Sequence, residues 1–206
     1  MTAKLKPPSQ VSPGFERAAR YYDDYAVLQR KVADEMLDRL HDVTIRPASV
    51  VDVGCGTGYC TRRLHKIWKS AQVVGFDLAN GMIQQASGQK GWFSKQAYCQ
   101  ADAASLPLND GVVDVVFSNL MLQWCDPQAV FAEFRRVLNN DGLLMFSSFG
   151  PDTQTVGYAA RREDPVGQPG GTGRDGAFRS GAAHPLQQRA ACHLAFHSTD
   201  RRHPRL

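Results

Sequence analysis

Between residues 48 and 149, short β-branched runs alternate with stretches whose apolar residues recur at helical spacing. Val50-Val51-Asp52-Val53, Gln72–Asp77, Tyr98–Ala103, Val112–Asn119 and Gly142–Phe149 read as strands. Tyr59–Trp68, with Leu64, Ile67 and Trp68 toward the sheet, reads as a helix, as does the stretch from Asp126-Pro127 to Leu138, with Val130, Phe131, Phe134 and Val137 buried. Strands interleaved with helices predict an α/β domain with a doubly wound, mostly parallel sheet. Residues 87–95 read as a loop and Asn139–Gly142 as a turn.

Two amphipathic segments precede the first strand. Ser12-Pro13 is a plausible N-cap with proline at N1, followed by Phe15, Ala18, Ala19, Tyr22 and Ala26 at helical spacing. Leu28, Val32, Met36, Leu37 and Leu40 then share one face of a second helix. These boundaries divide the chain into a disordered leader (1–11), an N-terminal helical segment (12–47), a core (48–154) and a tail (155–206). The tail holds seven Gly, four Pro and eight Arg but only eight Val, Leu, Phe or Tyr, too little apolar surface to offset the entropy of ordering it. The expectation is disorder there, from a reading frame shifted in a GC-rich gene, a truncated gene product, or a genuine disordered tail.

Charge changes the picture little. The net +4 lies wholly beyond residue 154, since residues 1–154 hold 16 basic and 16 acidic side chains. No basic face for nucleic acid is implied. No run of 18 apolar residues suggests a membrane span, and the N-terminal text has no apolar signal region. Five cysteines without C-x-x-C pairs favour free thiols over disulfides or zinc, and hence the cytoplasm.

The chemistry gathers at Asp52-Val53-Gly54-Cys55-Gly56-Thr57-Gly58. A dinucleotide fingerprint, G-x-G-x-x-G, would put glycine at position 59, where Tyr59 stands. A carboxylate at Asp52 would repel a pyrophosphate and suits a ligand with a cationic end. Asp77, closing the second strand, sits where a doubly wound fold presents a carboxylate to a ribose diol, or else it is a solvated strand end. Leu78, Ala79 and Met82 follow as an apolar shelf, Met82 packing on a ligand ring or on the core.

The D-x-G-x-G-x-G pattern resembles motif I of the class I methyltransferases that use S-adenosylmethionine. That resemblance implies a Rossmann-like fold with Asp52, Gly54, Gly56, Gly58, Asp77, Leu78, Met82, Asp102, Ala103, Asn119 and Leu120 around the cofactor. Asp102 would accept from the adenine amino group, with the Ala103 N–H as a second adenine contact; alternatively Asp102 caps a short turn before Leu106-Pro107. The family's C-terminal antiparallel strands find no counterpart in the tail.

Phe15-Glu16-Arg17-Ala18-Ala19-Arg20-Tyr21-Tyr22, Leu28-Gln29-Arg30, Ser118-Asn119-Leu120 with Gln123-Trp124, and Phe149-Gly150-Pro151-Asp152-Thr153 are similar to the biotin-pathway malonyl-acyl-carrier-protein O-methyltransferases. The likeness spans about residues 12–154. It implies an enzyme, with residues 12–47 as a helical lid over the cofactor, that esterifies the free carboxylate of a malonyl thioester on a small acidic carrier protein; a monomer is expected. Tyr22 and Arg17 would hold that carboxylate, and Gln123 and Trp124 would line the pocket. Two readings stay open beside it: a methyltransferase for another small molecule, such as a quinone precursor, and a non-catalytic protein of the same fold.

Overall fold

The computed structural model describes residues 8–91, 94–149 and 154–160. Helices α1 (Pro8–Ala18), α2 (Tyr22–Tyr25) and α3 (Val27–Arg39) lead into strand β1 (Ser49–Val53). Then follow α4 (Tyr59–Ile67), β2 (Gln72–Asp77), α5 (Asn80–Gly88), β3 (Ala97–Gln100), β4 (Val113–Asn119), α6 (Pro127–Val137), β5 (Leu138–Phe149) and β6 (Gln154–Ala160). The strands form one sheet in the order β3-β2-β1-β4-β5-β6, parallel up to β5. Strand order reverses between β1 and β4, which opens a crevice at the carboxyl ends of these strands.

Every residue of β1 is buried, Ser49 and Asp52 included, because a parallel strand covered on both faces has no solvated side. Alternation still assigns the faces. Val51 and Val53 pack in one cluster with Val130 and Phe134 of α6, and Val50 packs in another with Met36 and Leu37 of α3 and Leu64 of α4.

Several elements depart from the sequence reading: the helix expected from Ser12 through Ala26 is split into α1 and α2, and β3 runs Ala97–Gln100, leaving residues 101–103 outside it. Helix α1 starts at Pro8 and carries Pro13 inside it, so the leader does not extend to residue 11 and Ser12 is not a cap. Leu28 does not share the buried face of α3; it is exposed, while Ala33 is buried. The Asn139–Gly142 turn is absorbed into β5 as an irregularity, with register jumping from Val113↔Leu138 to Val115↔Leu143. Its turn chemistry persists, since the Asp141 N–H donates to Asn139 Oδ1 at 3.1 Å. Finally, β6 pairs antiparallel with β5, from Phe149↔Gln154 to Leu143↔Ala160, where no strand was expected. Composition averaged over the tail hides this short segment, whose ladder is made by backbone groups. The proposed disorder of residues 161–206 lies outside the described residues.

Candidate functional site

Strand β1 ends in a turn with three left-handed glycines, Gly54 (φ 76°), Gly56 (φ 53°) and Gly58 (φ 80°). A side chain at Gly54 would overlap Met121, and one at Gly58 would lie 2.6 Å from the Tyr98 hydroxyl. The N–H groups of Gly54 and Cys55 both donate to the Phe76 carbonyl, at 2.8 and 2.9 Å. Next to them the Gly56 N–H donates to Asp77 Oδ2 at 2.8 Å, and the Ala79 N–H donates to Asp77 Oδ1 at 2.9 Å. The carboxylate thus ties the turn after β1 to the start of α5 and keeps a lone pair on each oxygen. Burial pushes the Asp77 carboxyl upward, against the pull of those backbone donors.

A cavity opens over this clamp. Of the predicted residues, Tyr22, Gly54, Gly56, Asp77, Leu78, Met82, Asp102, Ala103, Asn119, Leu120, Gln123 and Trp124 line it, while Arg17, Asp52 and Gly58 do not. Arg17 is exposed on α1, and Gly58 is the N-cap of α4. Asp52 is 1% exposed and accepts a 2.6 Å hydrogen bond from Thr61 Oγ1. Lying two residues after Val50, it faces the α4 side of the sheet and braces the first turn of α4. Burial raises its pKa to about 7, opposed by Thr61.

Asp102 and Met82 each have a structural partner and also line the cavity. Asp102 Oδ1 accepts from the Ala104 N–H at 2.9 Å as a turn cap, and the residue also lines the cavity. Met82 packs with Ala19 and Ala79 and forms part of the cavity floor. Gln29, Met121 and Cys125 line the cavity without having been singled out in the sequence; the first belongs to the lid text and the others flank Gln123-Trp124.

Several hydrogen bonds tie the N-terminal helical segment to the sheet domain, three of them near the cavity. Glu16 Oε2 accepts the Gly81 N–H at 2.6 Å, Asp23 Oδ1 accepts from Thr57 Oγ1 at 2.6 Å, and Asn119 Nδ2 donates to the Gln29 carbonyl at 2.9 Å. Phe15 meets the Trp124 ring edge-on at 5.4 Å and lies 6.4 Å from the Tyr22 ring. Burial, and then the charge of Asp77, raise the Tyr22 hydroxyl, which stays a neutral donor at physiological pH.

At the end of β4 the backbone of Leu120 is left-handed (φ 48°), a costly conformation for a non-glycine residue. It is held by the Leu120 N–H donating to Ser147 Oγ at 3.0 Å, while Ser147 Oγ donates to Asn119 Oδ1 at 2.8 Å. Gln123 Nε2 donates to the Leu120 carbonyl at 2.5 Å, leaving Gln123 Oε1 buried with no partner among the described residues. The lining carries the acceptors of Asp77, Asp102 and Gln123 and, among the described residues, contains no Lys, Arg or His. Such a lining suits a ligand rich in hydroxyl and amino donors with a cationic end, and disfavours a polyphosphate.

Residues 51–146, which hold the glycine turn, Asp77 and the β4 edge, match the family described as "Methyltransferase domain". Residues 51–146 are a class I methyltransferase domain. The chain is similar to the malonyl-[acyl-carrier protein] O-methyltransferase of Gallionella capsiferriformans (strain ES-2), 45% identical over 146 residues that cover 68% of this chain and 50% of that protein. The protein of that name from Methylovorus sp. (strain MP688) is 41% identical over 164 residues, covering 76% of this chain and 55% of its own. The chain spans about half the length of the curated relatives it matches. Among solved structures, the complex of the Haloferax volcanii Trm112 methyltransferase activator with a putative methyltransferase is 25% identical, with a TM-score of 0.57 over 65% of this chain and 59% of that one. A putative S-adenosyl-L-methionine-dependent methyltransferase from Methanococcus maripaludis shares the fold at 18% identity, with a TM-score of 0.59 over 72% of this chain and 68% of its own.

Proposed function

We propose that this chain binds S-adenosyl-L-methionine across the glycine turn and Asp77, and that the methyl acceptor is the free carboxylate of a malonyl thioester on an acyl carrier protein, at the entry to biotin synthesis. The reading is carried by the Asp77 clamp: a strand-end carboxylate fixed to the glycine turn, with acceptor capacity left over, in a cavity with no cationic side chain among its described lining residues.

The residues present fit the cofactor. Asp77 has the acceptors a ribose diol needs, Leu78 and Met82 offer an apolar shelf for a purine, and the left-handed turn at Gly54 and Gly56 lets backbone stand where side chains would otherwise intrude. Asn119 and Leu120, held by Ser147, form the wall opposite. When bound, the cofactor supplies an electrophilic methyl on a sulfonium that leaves as a neutral thioether. A malonyl carboxylate is already ionised at pH 7, so this chain need not remove a proton, and no base is required in the lining. What remains for the protein is alignment and exclusion of water. The neutral Tyr22 hydroxyl donates to the carboxylate, and the Phe15–Trp124 contact closes the lid over it. The exposed Arg17 has no part in this.

Incubation with methyl-labelled cofactor and malonyl-loaded carrier protein tests the reading: the label is expected in a base-labile methyl ester on the carrier. Label transferred to a quinone precursor but not to malonyl thioester would overturn the choice of acceptor.

A further inference from the structure

The lid that covers the cavity leaves its own outer side bare. Tyr21, Tyr25, Val27 and Leu28 are 65, 83, 73 and 44% exposed, a run of large apolar side chains around the junction of α2 and α3. Apolar surface so concentrated on a small domain marks a contact surface. Its position is informative, because the same segment sends Phe15, Tyr22 and Gln29 into the cavity lining. Trp124 and Phe149 also line the cavity while 46% exposed, so the cavity has half-exposed aromatic residues in its wall.

Charge separates the possible occupants. Within residues 12–31, Glu16 is committed to the Gly81 N–H, and Asp23 to Thr57 and to its ion pair with Arg30. Arg17, Arg20 and Lys31 are exposed and form no ion pair among the described residues, and Asp24 is the remaining acid. Lys31 stands one helical turn after Val27 on α3, so positive charge flanks the apolar run on its α3 side as it does on α1. A second copy would set these cations against each other, whereas a small acidic protein would complement them.

We propose that this outer face of the lid, centred on Tyr25 and Val27 and flanked by Arg20 and Lys31, is the docking surface for the acyl carrier protein. The proposal rests on the malonyl-thioester reading above. A carrier too large for the cavity must sit beside its cover while the phosphopantetheine arm, itself bearing a negative phosphodiester, passes inside. The lid then has two contacts, with the cofactor cavity beneath and the carrier above.

The test uses the full chain saturated with S-adenosylhomocysteine, and isotope-labelled malonyl-carrier followed by chemical-shift titration. Arg20→Glu, Tyr25→Ala and Val27→Glu alter exposed positions outside the cavity lining. Each is expected to weaken carrier binding by about tenfold while S-adenosylhomocysteine affinity stays within about twofold. In turnover, the same variants are expected to raise KM for the malonyl-carrier and leave KM for malonyl-N-acetylcysteamine, which has the thioester without the protein, unchanged. Carrier binding that the variants do not weaken, no carrier binding at all, or an equal effect on both substrates overturns the docking surface. So does self-association or binding to anionic vesicles that the same variants abolish in place of carrier binding. If the carrier binds through this face but neither thioester is methylated, the docking surface stands and the methyl-transfer reading fails.

Discussion

Thr57 Oγ1, inside the glycine turn, donates a 2.6 Å hydrogen bond to Asp23 Oδ1, in the lid. The turn that faces the cofactor cavity is thereby joined to the segment that covers it. Burial raises the Asp23 carboxyl, but hydrogen bonds from Thr57 and Gln89 and the charges of Arg30 and Arg62 outweigh it, and the group ends below its usual range. The bond is therefore charge-assisted at neutral pH.

Thr57→Val keeps the side-chain shape and removes the donor. Asp23 is about one-third exposed, so the loss is expected near the low end for a charged hydrogen bond, about 1 kcal/mol or a roughly fivefold weaker affinity for S-adenosylhomocysteine. Calorimetry reads the affinity, and limited proteolysis within residues 12–31 reads the lid. Unchanged affinity together with unchanged protection would mean the latch does not couple lid and turn.

Two glycines are expected to respond in opposite senses. Gly58→Ala forces a side chain into a left-handed backbone and against Tyr98, and should cost at least about 2 kcal/mol, lowering Tm by roughly 5 °C. Gly88→Ala, at the end of α5 with open space around it, should be neutral or stabilising by up to about 1 kcal/mol. Thermal unfolding of the two variants side by side checks the contrast.

The strand and helix rhythm was legible because both faces of the sheet are covered, so valine-rich runs such as Val50–Val53 are buried on both sides. Asp77 was legible for a related reason: the end of a parallel strand beside the switch point is a fixed place in the fold. The side that Asp52 takes was not legible, because the glycine spacing fixes its distance along the chain whereas the alternation of β1 sets it against Thr61. The strand at Gln154–Ala160 and the bulge at Asn139–Gly142 escaped because pairing with β5 and β4 is a backbone matter between distant segments. The lid fastenings, Glu16 to Gly81 and Thr57 to Asp23, join residues 65 and 34 positions apart that no local pattern relates.

Asp52 gives a pH signature. Its folded pKa, about 7, lies above its unfolded value, so its contribution to stability is fully present below about pH 4 and is lost as pH rises to about 7. Asp52→Asn keeps an acceptor for Thr61 and does not titrate. The difference in Tm, wild type minus variant, should therefore fall between about pH 4.5 and 7.5 and level off above that. Parallel curves across the range would show that Asp52 ionises at an ordinary pH in the folded protein.

Trp124→Ala removes the edge-on partner of Phe15 without touching the glycine turn or Asp77. Expected is a severalfold rise in KM for malonyl thioester with S-adenosylhomocysteine affinity nearly unchanged, the pattern of a substrate-side contact. Steady-state kinetics beside calorimetry distinguish this from a general loosening of the lid, which would weaken both.

The clamp formed by Asp77 and the glycine turn is tested most directly by calorimetric titration of S-adenosylhomocysteine into the wild-type chain and into Asp77→Ala, each confirmed folded by circular dichroism. The account predicts one-to-one binding to the wild type in the micromolar range and at least about a tenfold loss in the variant. No heat from the folded wild type at millimolar nucleoside, or equal affinity in the two proteins, would contradict it.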